Sequence, residues 1–166
     1  MHERSIELLN KAIGDELGAV HQYMYFHFVL DDLGYDLLSG LFKRTAIQEM
    51  GHAEALAERI LFLKGEPVVA AAGQVAPIKD VAAMLEMARA MEEGSAHDYN
   101  LWANECGANA DAVTKKVFEQ LVADEEGHGD QYDNELDKVQ RFGERYLALQ
   151  SIERAKSMAA AAPAAD

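Results

Sequence analysis

The sequence predicts an all-α fold, a four-helix bundle with one long crossover and a short C-terminal fifth helix. Three observations carry this. Apolar residues recur at three- and four-residue steps along most of the 166 residues. Only three prolines occur, and Pro67 and Pro77 bracket a single weakly patterned stretch, Gly65 to Lys79. The breaks between patterned segments are short, long and short, in that order. No segment reads as a credible strand. The expected organisation is one domain over residues 1–158, with the bundle at about 3–142 and the fifth helix at about 144–158. An Ala-rich tail, Ala159–Asp166, is expected to fray.

Each element has its own signals. From Glu3 to Leu30, the residues Ile6, Leu9, Ile13, Leu17 and Val20 form one apolar stripe, and Asp31 to Gly34 break it. The second helix runs from about Tyr35 to Lys64 through Leu38, Leu41, Phe42, Ile47, Leu56, Ile60 and Leu63. Gly65 and Pro67 stop it. Asp80 is a plausible N-cap for a third helix to about Cys106, and Gly107 to Asn109 form a turn. Asp111 can cap a fourth helix to about Phe142, and Gly143 separates it from Glu144–Met158. The short breaks make two antiparallel hairpins. The middle connection, about 15 residues, reaches roughly 50 Å when extended, whereas a helix of about 29 residues is roughly 44 Å long. It can therefore cross the whole bundle, which is the arrangement of ferritin-like folds rather than an up-down-up-down bundle.

Composition narrows the function. Fifteen Lys+Arg against 29 Asp+Glu give a net charge of −14, yet 49% of residues are hydrophobic, so the acidity is not that of a disordered tail. No basic run exists to neutralise phosphates or anionic lipids, which disfavours nucleic-acid and membrane partners. One cysteine, Cys106, excludes an internal disulfide framework and a four-cysteine metal site. No secretory leader or membrane-spanning run is evident, so a cytoplasmic setting is expected.

The two hairpins repeat. Glu16 and Glu92, Glu49 and Glu125, and His52 and His128 all differ by 76 positions, as do Gly18 and Gly94, His21 and His97, and Tyr23 and Tyr99. Helix periodicity does not require acids and histidines to be retained. Glu49 and His52 are three apart and share one helix face, and Glu125 and His128 repeat that spacing. Glu16 and Glu92 stand on the partner helices. One Glu plus one Glu-x-x-His, twice over, is the ligand set of a carboxylate-bridged two-metal site in a bundle. Glu49 and Glu125 are the natural bridges. Glu16 with His52, and Glu92 with His128, would complete the two metals. Carboxylate and imidazole donors suit iron or manganese. Surface acids are the competing reading, but Glu16 sits among Ile13, Leu17 and Val20, where an unpaired carboxylate would cost several kcal/mol. The repeat selects Glu92 over Glu93, and the spacing selects Glu125 over Glu126.

Tyr23 shares the Glu16 face. It can hydrogen-bond a ligand carboxylate or give up an electron during oxidation, or it can be a packing residue. Tyr99 stands in the same relation to the second half. His27 reads as a polar core or proton-exchanging residue rather than a ligand. His2, His21 and His97 have no metal-ligand partner at the right spacing.

Four stretches resemble bacterioferritins: Glu16 to Tyr23, Gln48 to His52, Arg59 to Pro67 and Asp124 to His128. The similarity covers Ser5 to about Arg154 and includes all six ligand positions. The resemblance implies a hollow shell of 24 subunits built from dimers, with a ferroxidase centre in each. There Fe(II) is oxidised by O2 or H2O2, and ferric mineral is stored inside. It also implies a haem b at the twofold dimer interface, with Met50 of each subunit as axial ligand, and a ferredoxin-type electron donor for iron release. Met50 lies roughly 100° round the helix from Glu49 and should point away from the di-iron face. Arg44 and Gln48 stand where many family members place a histidine and an aspartate for an inner-surface iron, and His21 stands where an asparagine is common. A smaller di-iron oxidase or peroxidase of the same fold is the alternative.

Overall fold

In the computed structural model, residues 2–161 are described. Five helices follow in order: α1 (Glu3–Asp32), α2 (Asp36–Phe62), α3 (Val81–Ala108), α4 (Ala112–Phe142) and α5 (Glu144–Ala161). The first four form the bundle, paired as hairpins α1–α2 and α3–α4, with α5 packed against α2 and α4. This is the predicted all-α architecture. α5 extends to Ala161, three residues past the expected end at Met158, in keeping with the high helix propensity of alanine. Residues 162–166 of the expected frayed tail lie outside the described residues. No described helix is long and apolar enough to cross a membrane.

The core falls into two clusters along the bundle. At one end Phe26, Leu30, Phe42, Leu85 and Tyr132 interlock, and at the other Leu9, Ile13, Leu56, Tyr99 and Phe118. Burying each of these side chains contributes about 1.5–3 kcal/mol. The interval between the clusters is filled by charged groups instead.

The crossover, residues 63–80, lies along α1 and is pinned to it. The Asn10 side chain donates to the Glu66 carbonyl at 3.1 Å and accepts from the Val68 N–H at 2.7 Å. The Ala72 N–H donates to the Gly14 carbonyl at 2.8 Å. Gln22 brackets Ala76, accepting from its N–H at 2.7 Å and donating to its carbonyl at 3.0 Å. These bonds satisfy backbone groups of a segment with no ladder of its own. The strap passes so close that a Cβ at Gly18 would stand 2.7 Å from the Ala72 carbonyl oxygen.

The helix starts use different devices. Asp80 accepts from the Ala83 N–H at 2.9 Å, and Asp111 from the Thr114 N–H at 3.1 Å, as their cap positions predicted. Tyr35, before α2, gives no side-chain cap. There the Leu38 N–H donates to Gln150 Oε1 at 3.2 Å, so α5 supplies the missing acceptor.

Candidate metal centre

Between the two apolar clusters, each bundle helix turns a glutamate inward: Glu16 from α1, Glu49 from α2, Glu92 from α3 and Glu125 from α4. All four are buried, as is His128, and His52 is 12% exposed. Helix spacing explains the histidines. His52 and His128 each stand three residues beyond a central glutamate, on the same face, with Nδ1 2.9 Å from Glu49 and 3.2 Å from Glu125 respectively.

The donor atoms form two overlapping groups. Glu16, Glu49, His52 and Glu125 make one, and Glu49, Glu92, Glu125 and His128 the other, each with ligand atoms within 4.8 Å of one another. Glu49 and Glu125 belong to both, the geometry a bridging carboxylate needs. The contacts also cross between the halves: His52 Nδ1 is 3.1 Å from Glu125, and His128 Nδ1 is 2.9 Å from Glu49. All six residues that the repeat selected come together. Glu93 and Glu126, rotated away, are exposed, as are His21 and His97.

Four carboxylates in a dry interior require compensation. Burial pushes Glu16 and Glu92 well above the usual carboxylate range, despite hydrogen bonds to His52 and His128. Burial also opposes ionisation of Glu49 and Glu125, but their hydrogen bonds to both histidines outweigh it and hold them low. Burial would lower both histidines. Hydrogen bonds to the glutamates reverse that and raise each to about 12. Without metal, the two histidines supply the positive charge that faces the carboxylates. Two divalent cations would balance four carboxylates and leave both imidazoles neutral. Oε1 of Glu49 and of Glu125 each face only the histidine Nδ1 of the other half, at 2.9 and 3.1 Å, a nitrogen already shared with other carboxylates and not aligned to satisfy them. Buried oxygens left under-satisfied are rare without a ligand, so the donor set fits a pair of cations.

Two tyrosines close the ends of the cluster. Tyr23 of α1 donates to Glu92 of α3, and Tyr99 of α3 donates to Glu16 of α1 at 2.6 Å. Both are fully buried. Burial, then the adjacent carboxylates, pushes their phenols well above the ordinary range, so they remain donors. Each therefore fixes the terminal glutamate of the other hairpin. His27 is not at the site; its Nδ1 lies 2.9 Å from the Ser39 hydroxyl.

Sequence reasoning missed two neighbours. Asp124 Oδ2 lies 3.4 Å from His52 Nε2, the ring nitrogen facing away from the cluster. Its only sequence signal is its place beside Glu125. Tyr132 is fully buried, with its ring centroid 5.5 Å from that of Tyr23 and 5.0 Å from that of Phe42. Its position in the first half holds Leu56, so the repeat gives no hint of it.

Two clefts reach the carboxylates. One, about 360 Å³, opens between α1 and α3 beside the crossover, with Asp15 and Asp98 above Glu16 and Glu92. Burial, reinforced by Asp98, pushes the Asp15 carboxyl up. The other, about 520 Å³, lies between α3 and α4 and reaches Glu92 and Glu125. Met50 is 55% exposed on α2, outside both ligand groups, in keeping with its rotation from Glu49.

Known proteins share this plan. A ferritin-like domain family matches residues 6–142. The bacterioferritin of Desulfovibrio desulfuricans is 38% identical over 143 residues, covering 86% of this chain and 80% of its own. That of Brucella melitensis is 37% identical over 145 residues, covering 87% of this chain and 90% of its own. An X-ray structure of the D. desulfuricans bacterioferritin, describing its diiron site in different catalytic states, superposes with a TM-score of 0.87 at 37% identity. The match covers 89% of this chain and 86% of that one.

Proposed function

The chain belongs to the bacterioferritin family, and on that premise we infer that it stores iron and oxidises it, acting as a ferroxidase on Fe(II). The observation that carries this reading is the pair of overlapping donor groups sharing Glu49 and Glu125. Fe(II) is the substrate. Two such ions, one in each group, would be bridged by Glu49 and Glu125. Glu16 and His52 would complete one coordination sphere, and Glu92 and His128 the other.

Two Fe(II) ions supply two electrons together. This matches the reduction of O2 to H2O2, or of H2O2 to two waters, with two protons consumed in either case. Holding both ions in one site delivers the electrons as a pair and avoids one-electron products. The protein's part is positional. Carboxylates offset the cationic charge and favour the ferric product. Tyr23 and Tyr99 hold Glu92 and Glu16 in place, and the apolar clusters on either side exclude bulk water. Tyr23 is also assigned the role of a local electron reserve, supported by its contact with a ligand carboxylate. The Asp15–Asp98 cleft offers cations an acidic approach.

The wider assembly follows the family. We assign the chain to a 24-subunit shell built from dimers, with ferric mineral inside, a cytoplasmic location and a ferredoxin-type donor for iron release. Haem b would sit between two subunits, held by Met50 from each. Its exposed thioether on α2, near exposed Ile47, fits a ligand that needs a second chain to complete it.

Anaerobic Fe(II) titration of the metal-free protein tests the central reading. Two ions should bind per chain before storage begins, and they should oxidise rapidly when O2 or H2O2 is admitted. A protein that never binds two irons per chain would overturn it. Particle mass separates a storage shell from the smaller oxidase. Met50→Leu should lose the haem Soret band while the shell assembles.

A further inference from the structure

The α2–α4 face carries a groove whose charge runs against that of the chain. Two adjoining depressions, about 620 and 380 Å³, share Arg44 and Gln131. The larger adds Glu135 and Lys138, and the smaller adds Gln48. Arg4, Arg59, Arg89, Arg141 and Arg154 each meet a carboxylate. Arg44 and Arg145 are exposed, and no carboxylate among the described residues pairs with either; of the two, Arg44 lines the groove. The one acid lining the groove, Glu135, is already engaged by Lys138 Nζ at 2.7 Å and by the Tyr146 hydroxyl. Counting Arg44 and Lys138 against Glu135 leaves an excess of one positive charge in a molecule of net −14.

We propose that this groove binds a tetrahedral oxyanion, inorganic phosphate, with Arg44 as its anchor. The guanidinium presents a planar fork of donors that matches two oxygens of a phosphate. Gln48 and Gln131 add neutral amide donors without adding repulsion. Lys138 contributes its charge as a point source shared with Glu135. The same set repels a metal cation, because a guanidinium offers no lone pair and keeps its proton.

Phosphate binding itself needs only this groove. Its consequence rests on the storage reading above. If the α2–α4 face lines the cavity, phosphate held at Arg44 gives arriving ferric ions an anionic partner on the wall, and mineral would start there with phosphate in it.

The test uses metal-free protein at constant ionic strength, with chloride exchanged for orthophosphate. Calorimetry and phosphorus NMR line width report binding. Saturable binding with a dissociation constant on the order of 1 mM is expected, as befits one exposed guanidinium and shared neighbours. Arg44→Ala should weaken it at least tenfold. Gln131→Glu, which sets a carboxylate against Arg44, should do the same with helicity unchanged. Arg89→Ala, in the separate α3–α4 cleft, should change it less than twofold. No saturation by about 20 mM in the wild type, or equal binding in Arg44→Ala and the wild type, would overturn the proposal. Fe(II) oxidation by Arg44→Ala in phosphate-free buffer should match the wild type. In the wild-type protein, absent phosphate binding with normal oxidation defeats only this proposal, and normal phosphate binding without oxidation defeats only the ferroxidase reading.

Discussion

The α1–α2 and α3–α4 hairpins carry the same chemistry on different supports. At the centre the 76-residue repeat is nearly exact in function. Glu16 answers Glu92, Glu49 answers Glu125, and the Tyr23–Glu92 bond has its image in Tyr99–Glu16. Away from the centre the halves part. Asp124 stands beside His52, whereas the matching position near His128 holds Gln48. The second hairpin caps its own turn through Asp111, and the first borrows Gln150 from α5. A two-metal site imposes symmetry only on the groups that touch it, and the rest of each hairpin is free to diverge.

The largest expected effect tests the symmetric part. Glu49→Ala and Glu125→Ala each remove a donor from both groups, so each should slow Fe(II) oxidation at least a hundredfold, beyond the usual cost of an outer neighbour. Stopped-flow absorbance measures it. If one variant oxidises iron at the wild-type rate, the carboxylates are not equivalent bridges. Terminal Glu16→Ala should cost less, because it empties only one group.

The turns test the asymmetric part. Asp111 is buried, and burial alone would raise its pKa. Hydrogen bonds from Thr114 and Ser5, and the Arg59 guanidinium at 2.8 Å, more than offset this and hold it at about 2. A carboxyl depressed on folding stabilises the fold above its unfolded value near 3.8. That contribution, on the order of 1–2 kcal/mol, should fade as pH falls from about 4 towards 2. Asp111→Ala should remove the cap and strand Arg59, costing about 2 kcal/mol at neutral pH. Gln150→Ala should cost about 1 kcal/mol, because it leaves only a neutral N–H unsatisfied. Urea unfolding at pH 7 and pH 3 separates them, since only the Asp111 effect should shrink in acid.

Glycines at matching positions break the comparison further. At Gly18 a Cβ would strike the Ala72 carbonyl of the crossover, whereas at Gly94 it would meet open space. Gly18→Ala should destabilise by about 1–2 kcal/mol as the strap is displaced, and Gly94→Ala should stabilise by about 0.5–1 kcal/mol through helix propensity. Thermal midpoints moving the same way in both would show that the strap yields freely.

These pairs also show what the sequence could reveal. Helix length, caps at Asp80 and Asp111, and the six ligands were legible because periodicity, spacing and self-similarity are properties of one chain read along its length. The partners of the ligands were less so. Which glutamate Tyr23 and Tyr99 hold is not legible by sequence alone, because each partner lies on the other hairpin and depends on how α1 and α3 face each other. Asn10 and Gln22 read as ordinary helix polar residues. Their clamp on the crossover exists only once the strap is laid along α1. Gln150 sits 112 residues from the N–H it caps, and no local rule links them.

The two tyrosines sharpen the comparison most finely. If both serve only to hold a terminal glutamate, Tyr23→Phe and Tyr99→Phe are equivalent: each should slow oxidation about tenfold, the lower range for losing such a neighbour. The halves differ around them. Tyr23 contacts Phe42 and Tyr132, and Tyr99 contacts Trp102 and Phe118. An electron drawn through Tyr23 would leave a radical signal that Tyr23→Phe abolishes and Tyr99→Phe keeps. Freeze-quench EPR with one Fe(II) per chain and H2O2 as oxidant, where iron supplies one electron and Tyr23 the second, reads that signal directly. Equal rates with no radical in either variant would make both tyrosines props for Glu92 and Glu16. Equal rates with a radical lost only in Tyr23→Phe would show a first hairpin that carries electrons and a second that does not.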